Sequence, residues 1–250
     1  MPALLDQNIH GNASRPDVIA YAGRLSLPAP PSPADEEEPI VVIVDDDDEV
    51  RASVCELLAS VGILALGLGS AERLFDGDLL GKPGCLILDV RMPGVSGLAL
   101  QEQLIARGEG KPIIFLTGHG DIPMTAKAMK AGAIDFLTKP FRDQTLLDAV
   151  SLALAVDVRQ RAECLSRRRT LDLYAALTPR ERQVMAAVVQ GGLNKRIAYE
   201  LGISEVTVKL HRSSMMRKMC VRTVADLLRA WQSLPLHIQA AEISSFEAVG

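Results

Sequence analysis

Acidic, hydroxyl and basic side chains stand directly after four separate apolar runs of the sequence. The runs cover residues 40–44, 85–88, 113–116 and 134–138, and the polar residues after them are Asp45, Asp46, Asp89, Thr117 and Lys139. Apolar runs of this length that alternate with helical patterns predict the strands of a parallel sheet. Because the carboxyl ends of such strands face one ligand crevice, we expect these five side chains to converge there.

The chemistry of this set suits phosphoryl transfer assisted by a divalent cation. Carboxylates are ligands that Mg²⁺ accepts, and an aspartate can itself form a covalent bond to a phosphoryl group. A hydroxyl and an ammonium group would offset the charge on the phosphoryl oxygens. A single aspartate after a strand would be better explained as a helix cap, but complementary groups at four strand ends favour a phosphate-handling pocket.

The periodicity between the polar positions predicts a doubly wound α/β domain with helices on both faces of its sheet. Strands are predicted at 40–44, 63–68, 85–88, 113–116 and 134–137. Helices are predicted near 48–61, in a short segment capped by Ser70, near 97–107 and 122–131, and from Asp143 to about residue 160. Five strands alternating with five helices are typical of a parallel sheet.

A second, all-helical domain is predicted towards the end of the chain. Thr178-Pro179-Arg180-Glu181 has the composition of a helix start, with a threonine cap, proline in the first turn and glutamate three residues after the cap. Further helices are predicted at 194–201, from Ser204 to about Met219, and at 223–231. Residues 171–232 carry a net charge of +5, which leaves −9 for the rest of a chain with net charge −4. This asymmetry suggests that only the helical domain binds nucleic acid.

Composition sets the remaining boundaries. Residues 1–39 are rich in Pro, Ser and Ala and end in an acidic run, which predicts a disordered N-terminal extension. We expect the α/β domain at 40–155, a charged linker at 156–174, the helical domain at 175–234 and a frayed C-terminal tail at 235–250. A basic patch that helps to bind DNA is the alternative interpretation of Arg167-Arg168-Arg169 in the linker.

Cysteine usage and hydropathy indicate a cytoplasmic protein without a membrane partner. The four cysteines are widely spaced and are predicted to be reduced, buried thiols, namely Cys55, Cys85, Cys164 and Cys220. No apolar run approaches the roughly 18–20 residues that cross a bilayer. The first residues also lack the basic and apolar pattern of a secretory signal.

Residues 40–155 resemble the receiver domain of two-component response regulators. The motifs that carry the resemblance are Val44-Asp45-Asp46, Leu88-Asp89-Val90-Arg91-Met92-Pro93-Gly94, Leu116-Thr117-Gly118-His119-Gly120 and Thr138-Lys139-Pro140-Phe141. The resemblance implies a flavodoxin-like fold, phosphorylation of Asp89, and Mg²⁺ held by Asp45, Asp46, Asp89 and the main-chain carbonyl of Arg91. It also implies the switch hydroxyl, the phosphate-binding lysine and the aromatic that changes rotamer, which are Thr117, Lys139 and Phe136. A plain core aromatic is the alternative for Phe136.

Residues 178–232 resemble the four-helix DNA-binding domain of the LuxR/FixJ/NarL type. The matching stretches are 177–182, 194–198, 201–204 and 207–212. The resemblance implies a helix-turn-helix whose second helix, 204–219, enters the major groove. It implies base-edge readers and phosphate contacts, which are Lys209, Leu210 and Ser213, and Lys195, Thr207, His211 and Arg212, respectively. Glu181 is expected to form an internal salt bridge.

Together the two domains resemble a response regulator of the FixJ/NarL family, and residues 118–124 are most similar to its FixJ/NodW/TodT branch. The resemblance implies a phosphorylation-dependent transcriptional regulator that catalyses only its own phosphorylation and dephosphorylation. Its implied partners are a cognate sensor histidine kinase, double-stranded promoter DNA, RNA polymerase and, on phosphorylation, a second copy that binds through helix 122–131 and strand 134–137.

Two other interpretations of the sequence stay open. One is a phosphatase or phosphotransferase enzyme of similar α/β build. The other is a phosphorylation-independent DNA-binding regulator that uses its receiver only as a dimerisation scaffold.

Overall fold

The structure is a computed structural model that describes residues 37–75, 78–118 and 122–247. The predicted disordered extension falls on residues 1–36 and the first few that follow, so it lies almost wholly outside the described residues. The described chain contains an α/β domain followed by a helical domain.

The α/β domain is built on a five-stranded parallel sheet. Its strands are β1 (Ile40–Val44), β2 (Leu64–Leu68), β3 (Gly84–Asp89), β4 (Ile113–Thr117) and β5 (Asp135–Thr138). The strand order is β2-β1-β3-β4-β5, which confirms the flavodoxin-like doubly wound fold. The three central strands are almost entirely buried, which explains why their sequences are continuous apolar runs.

Helices cover both faces of this sheet. They are α1 (Asp48–Ser60), α2 (Gly97–Ala106), α3 (Ile122–Lys130) and α4 (Asp143–Ala175). The short helix predicted after Ser70 is instead a single 3₁₀ turn at Glu72–Leu74, and its N-cap, Ala71, offers no side-chain hydrogen bond. One apolar cluster centres on Phe115 beneath α2, and the other joins the opposite face of the sheet to α1 and α4.

Helix α4 is much longer than predicted. The helix was predicted to end near residue 160, but α4 continues to Ala175, so the predicted linker 156–174 is helical. No proline or glycine interrupts this stretch, and its last turns bury Tyr174 in the core of the helical domain. Although α4 has 33 residues, no helix among the described residues is both long and apolar enough to cross a membrane.

The helical domain contains the four predicted helices and one that was missed. They are α5 (Pro179–Val189), α6 (Asn194–Leu201), α7 (Glu205–Lys218), α8 (Val224–Ser233) and α9 (Leu236–Glu247). The expectation of a frayed tail was wrong for residues 236–247, because α9 packs on α5 and buries Phe246 in the domain core. The Tyr174 hydroxyl donates to Glu242, so α9 also contacts the end of α4.

The predicted burial of all four cysteines was wrong for two of them. Cys85 is buried and Cys55 partly buried, whereas Cys164 on α4 and Cys220 in the turn after α7 are exposed. All four thiols are free, and burial raises the pKa of Cys85 to about 12. The spacing of cysteines in the sequence does not show which of them lie on exposed helix faces or in exposed turns.

Glu181 forms the internal salt bridge that the sequence predicted. Its carboxylate accepts hydrogen bonds from the main-chain N–H of Thr178 at 2.8 Å and from Nζ of Lys218 at 2.6 Å. Burial alone would raise the pKa of Glu181, but the hydrogen bonds from Lys218, Thr178 and Ser214 lower it from 4.5 to about 2. The charged form of Glu181 therefore stabilises the folded domain.

We predict that Glu181→Gln lowers the free energy of unfolding of the helical domain by about 2 kcal/mol at pH 7, because a charged hydrogen-bond acceptor is lost. A folded pKa below the unfolded one gives stability that is fully present above pH 4.5 and is lost as pH falls towards 2. The difference between variant and wild type should shrink over that window. Fluorescence of Trp231, which is the chain's one tryptophan and is buried in this domain, measures the transition. A difference that stays constant between pH 7 and pH 3 would contradict the prediction.

Candidate functional site

The sheet register places the predicted polar residues at neighbouring strand ends. Asp89 ends β3 opposite Leu116 of β4, so Thr117 follows at the adjacent strand end. Thr117 in turn pairs with Thr138, the last residue of β5, and Lys139 follows it. The main-chain N–H of Lys139 donates to the carbonyl of Thr117 at 2.7 Å, which holds the two loops together.

Three aspartates form a compact acidic pocket at this edge of the sheet. Asp45, Asp46 and Asp89 each offer a carboxylate oxygen, and the three oxygens lie within 4.8 Å of one another. Asp45 and Asp89 are 1% and 6% exposed, whereas Asp46 is open to solvent. The pocket therefore has a buried floor and a side that a solvated ligand can reach.

Lys139 connects the two buried carboxylates. Its Nζ donates to Oδ2 of Asp45 at 2.5 Å and to Oδ1 of Asp89 at 3.2 Å. Burial raises the pKa of Asp89, and the nearby Lys139 opposes part of that rise. Burial would lower the pKa of Lys139, but the hydrogen bonds and charges of Asp45 and Asp89 raise it, so the lysine stays protonated.

The four consecutive aspartates from Asp45 have different structural roles. Asp47 is the N-cap of α1, where its carboxylate accepts from the main-chain N–H groups of Glu49 and Val50. Asp48 lies in the first turn of α1 and is exposed, as expected for an acid favoured by the helix dipole. Only the first two acids of the run belong to the acidic pocket.

The remaining residues predicted for the pocket are Arg91, Thr117 and Phe136. The main-chain N–H of Arg91 donates to Oδ2 of Asp89 at 2.9 Å, while a role for the Arg91 carbonyl in binding a cation stays a prediction. Thr117 is buried. The half-buried Phe136 ring lies 6.0 Å from the buried Phe115 ring, centroid to centroid, at an interplanar angle of 42°. Phe136 thus borders both the core and the surface.

Two residues that shape the pocket were missed by the sequence analysis. Arg51 of α1 donates to the main-chain carbonyl of Asp45 at 2.5 Å. Gly97, the first residue of α2, lies so close to β3 that an added Cβ would stand 2.2 Å from the carbonyl oxygen of Asp89. Only Arg51 had a usable signal, as a lone cation two residues after a run of five acids, in the first turns of a predicted helix.

The helical domain contains a helix-turn-helix formed by α6 and α7. Helix α6 ends at Gly202, whose φ of 62° is the left-handed conformation that glycine adopts without strain. Ser204 then caps α7 by accepting from the main-chain N–H of Thr207 at 3.1 Å. Val208, Met215 and Met219 face the domain core, as their spacing predicted.

The predicted DNA-contacting side chains do not share one environment. Lys195, Lys209, Leu210 and Ser213 are exposed, whereas Thr207, His211 and Arg212 are partly buried. Arg212 donates to the Asn194 side chain at 3.1 Å, and the Thr207 hydroxyl lies 2.8 Å from the Ser204 hydroxyl. The exposed Lys209, Leu210 and Ser213 lie on α7 and the exposed Lys195 lies on α6, while Arg212 and Thr207 also hold the motif together.

Comparison with known families identifies both domains. Residues 41–151 match the response regulator receiver domain, and residues 175–230 match the bacterial regulatory proteins of the luxR family. The chain belongs to the FixJ/NarL family of response regulators. Its two domains make this response regulator a transcriptional regulator of a two-component system.

Relatives extend this similarity across both domains. Nodulation protein W of Bradyrhizobium diazoefficiens is 45% identical over 193 residues, which cover 77% of this chain and 85% of that protein. Response regulator protein TodT of Pseudomonas putida is 46% identical over 185 residues, covering 74% of this chain and 82% of TodT. The solved structure of response regulator StyR is 46% identical, covers 78% of this chain and 99% of its own, and has a TM-score of 0.70.

The acidic pocket of this response regulator has the donor set that Mg²⁺ requires. Three carboxylate oxygens within 4.8 Å of one another match a hard cation that keeps several of its waters. Receiver domains typically bind Mg²⁺ at such a pocket. Asp46 is exposed, so water can reach this side of the pocket, and the three carboxylates fit the cation.

Proposed function

We propose that this response regulator accepts a phosphoryl group on Asp89 from a cognate sensor histidine kinase and then binds promoter DNA as a homodimer. The observation that carries the proposal is the pair of buried carboxylates joined by Lys139, at 2.5 Å from Asp45 and 3.2 Å from Asp89. Two buried carboxylates share one ammonium group, so the pocket keeps an excess negative charge that a bound cation would offset. The luxR-type domain on the same chain supplies the output.

The chain's own residues account for the transfer step. An Asp89 carboxylate oxygen forms the new P–O bond while the P–N bond of the kinase phosphohistidine breaks, with no change in oxidation state. Lys139 would neutralise charge on the phosphoryl oxygens, and Thr117 would donate its hydroxyl to one of them. Asp45, Asp46, Asp89 and the Arg91 carbonyl would hold a Mg²⁺ ion, whose charge would offset repulsion between Asp89 and the incoming group.

Phosphorylation would change the shape of the face formed by α3 and β5. Thr117 lies at the end of β4, next to β5, and Phe136 lies on β5 between the core and the surface. Attraction of Thr117 to a phosphoryl group would free space for the Phe136 ring to turn inward. The exposed Ile122 and Met129 on α3 give this face apolar area for contact with a second copy.

A two-fold dimer would present two α7 helices about one DNA turn apart. Lys209, Leu210 and Ser213 would read base edges, and Lys195, Thr207, His211 and Arg212 would contact phosphates. Arg212 and Thr207 already hold the motif together, so they would position α7 as well as bind. RNA polymerase is the proposed partner of the DNA-bound dimer.

We predict that wild-type protein incubated with radiolabelled acetyl phosphate and Mg²⁺ incorporates acid-labile phosphate, and that Asp89→Asn incorporates none. The amide cannot act as the nucleophile, so the loss should be complete. Asp148→Asn, an exposed acid on α4, is the matched control and should be labelled like wild type. Sedimentation and DNA binding at fixed salt are then measured on the same samples, because affinity for DNA depends on ionic strength.

The same samples separate the alternatives. Labelling of Asp89→Asn would place the phosphoryl group on another residue and contradict the proposal. Labelled protein that neither dimerises nor gains DNA affinity would favour a regulator that binds DNA independently of phosphorylation.

A further inference from the structure

Arg51 binds the turn that carries the first two pocket aspartates. Its Nη1 donates to the main-chain oxygen of Asp45 at 2.5 Å, and its Nη2 pairs with Asp48. The Arg51 side chain is only 17% exposed, although Arg51 lies near the start of the surface helix α1. It is therefore held in place rather than extended into solvent.

The other polar atoms of Asp45 are also engaged. Its main-chain N–H donates to Leu68 at 3.2 Å, and its carboxylate accepts from Asp47 N–H at 3.0 Å and from Lys139 at 2.5 Å. The carbonyl that Arg51 binds belongs to the peptide between Asp45 and Asp46. Because a peptide unit is planar, fixing that oxygen fixes the direction in which the chain continues to Asp46.

The guanidinium group of Arg51 packs against the end of β2. A Cβ at Gly69 would stand 3.6 Å from its Cζ and both Nη atoms, and the Arg51 Cβ and Cδ lie alongside Gly67. Packing along the end of β2 limits the rotamers that Arg51 can adopt, so its planar donor group is pre-organised. The Asp48 ion pair contributes little, because Asp48 is 88% exposed and screened by water.

We propose that Arg51 is a positioning residue of the acidic pocket, which orients Asp45 and Asp46 towards a cation by holding the peptide that joins them. The inference rests on the proposed function of the pocket and adds to it a residue outside the phosphorylation motifs. Groups that orient metal ligands in this way typically change metal affinity by about 10- to 100-fold when removed.

The test is Arg51→Met, which keeps much of the packing against β2 and removes the donors. Mg²⁺ affinity is measured by titration calorimetry on the full chain, and thermal unfolding is measured in EDTA. We expect the Mg²⁺ dissociation constant to rise about 10-fold. Arg159→Met removes one charge from an exposed arginine of α4 and should leave the dissociation constant unchanged.

A combined variant distinguishes positioning from a purely structural role. If Arg51 acts through Asp46, then Arg51→Met in an Asp46→Asn background should weaken Mg²⁺ binding far less than in wild type. Full additivity, or an Arg51→Met dissociation constant within two-fold of wild type, would overturn the inference alone. Absence of Mg²⁺ binding by wild type would overturn the proposed pocket function and the inference together.

Discussion

Gly97→Ala should slow the proposed phosphorylation of Asp89 by about 100-fold, because it would displace the strand end that carries this carboxylate. A Cβ at Gly97 would stand 2.2 Å from the carbonyl oxygen of Asp89 and 3.2 Å from a ring carbon of Phe115, although real Cβ atoms essentially never come within 3.0 Å. The start of α2 and the end of β3 must therefore move apart. Overpacking of this kind costs about 2–3 kcal/mol of unfolding free energy.

The measurement is the initial rate of labelling by acetyl phosphate, together with calorimetric unfolding of the receiver. Gly110→Ala is the matched control, since a Cβ there meets nothing within 4 Å and the backbone is not in the left-handed region. Trp231 lies in the helical domain, so its fluorescence shows whether that domain stays folded in each variant. A Gly97→Ala protein that is labelled as fast as wild type would refute the close contact between α2 and Asp89.

The sequence was sufficient to predict the sheet and most of the acidic pocket. Buried parallel strands have continuous apolar sequences, and ligand groups follow at their carboxyl ends. The sequence alone therefore predicts that Asp45, Asp89 and Lys139 lie together, and the structure brings them into contact. The pattern is local to each strand, which is why it could be read from short segments.

The misses share a different cause. The length of α4 and the packing of α9 depend on contacts between residues far apart in the chain. The 3.6-residue apolar pattern of α4 weakens after the sheet ends, because solvent surrounds most of the helix there. The continuation of α4 depends on contacts at both ends of its exposed segment, which lies between Asp157 and Tyr174. Tyr174 provides one of them, in the core of the helical domain, and Asp157 provides the other.

We expect Asp157→Ala to lower the free energy of unfolding of the receiver by about 3 kcal/mol, because it removes one partner of a buried charge cluster. Asp157 is 5% exposed, and its Oδ2 accepts from the main-chain N–H of Gly84 at 2.8 Å and from Nε of Arg161 at 2.9 Å. Lys111 and Arg161 both donate to the carbonyl of Lys82 beside it. Without the carboxylate, two cations would stay close together and the Gly84 N–H would be buried without its acceptor.

Gly84 has little freedom to find another partner. It pairs with Ile40 where β1 and β3 begin, its φ is 128°, and an added Cβ would stand 1.9 Å from the Ile40 carbonyl oxygen. The backbone at this corner is therefore fixed by the sheet, so the N–H keeps pointing at the vacated position. The cost of removing Asp157 should fall on the receiver sheet as well as on α4.

Calorimetry should show the receiver transition of Asp157→Ala lowered by about 10 °C, while the Trp231 fluorescence transition stays in place. Asp157→Asn keeps an acceptor for Gly84 and should lose less, and Asp148→Ala, an exposed acid of the same helix, should lose almost nothing. Equal losses for Asp157→Ala and Asp148→Ala would mean that the buried cluster does not stabilise the receiver. The hydrogen bond between Asp157 and Gly84 joins residues 73 positions apart. It lies where β3 begins, at the opposite edge of the sheet from the acidic pocket, and it helps to fix the direction in which α4 leaves the receiver. Any conformational change that α4 transmits to the helical domain must therefore move a helix that is held at both Asp157 and Tyr174.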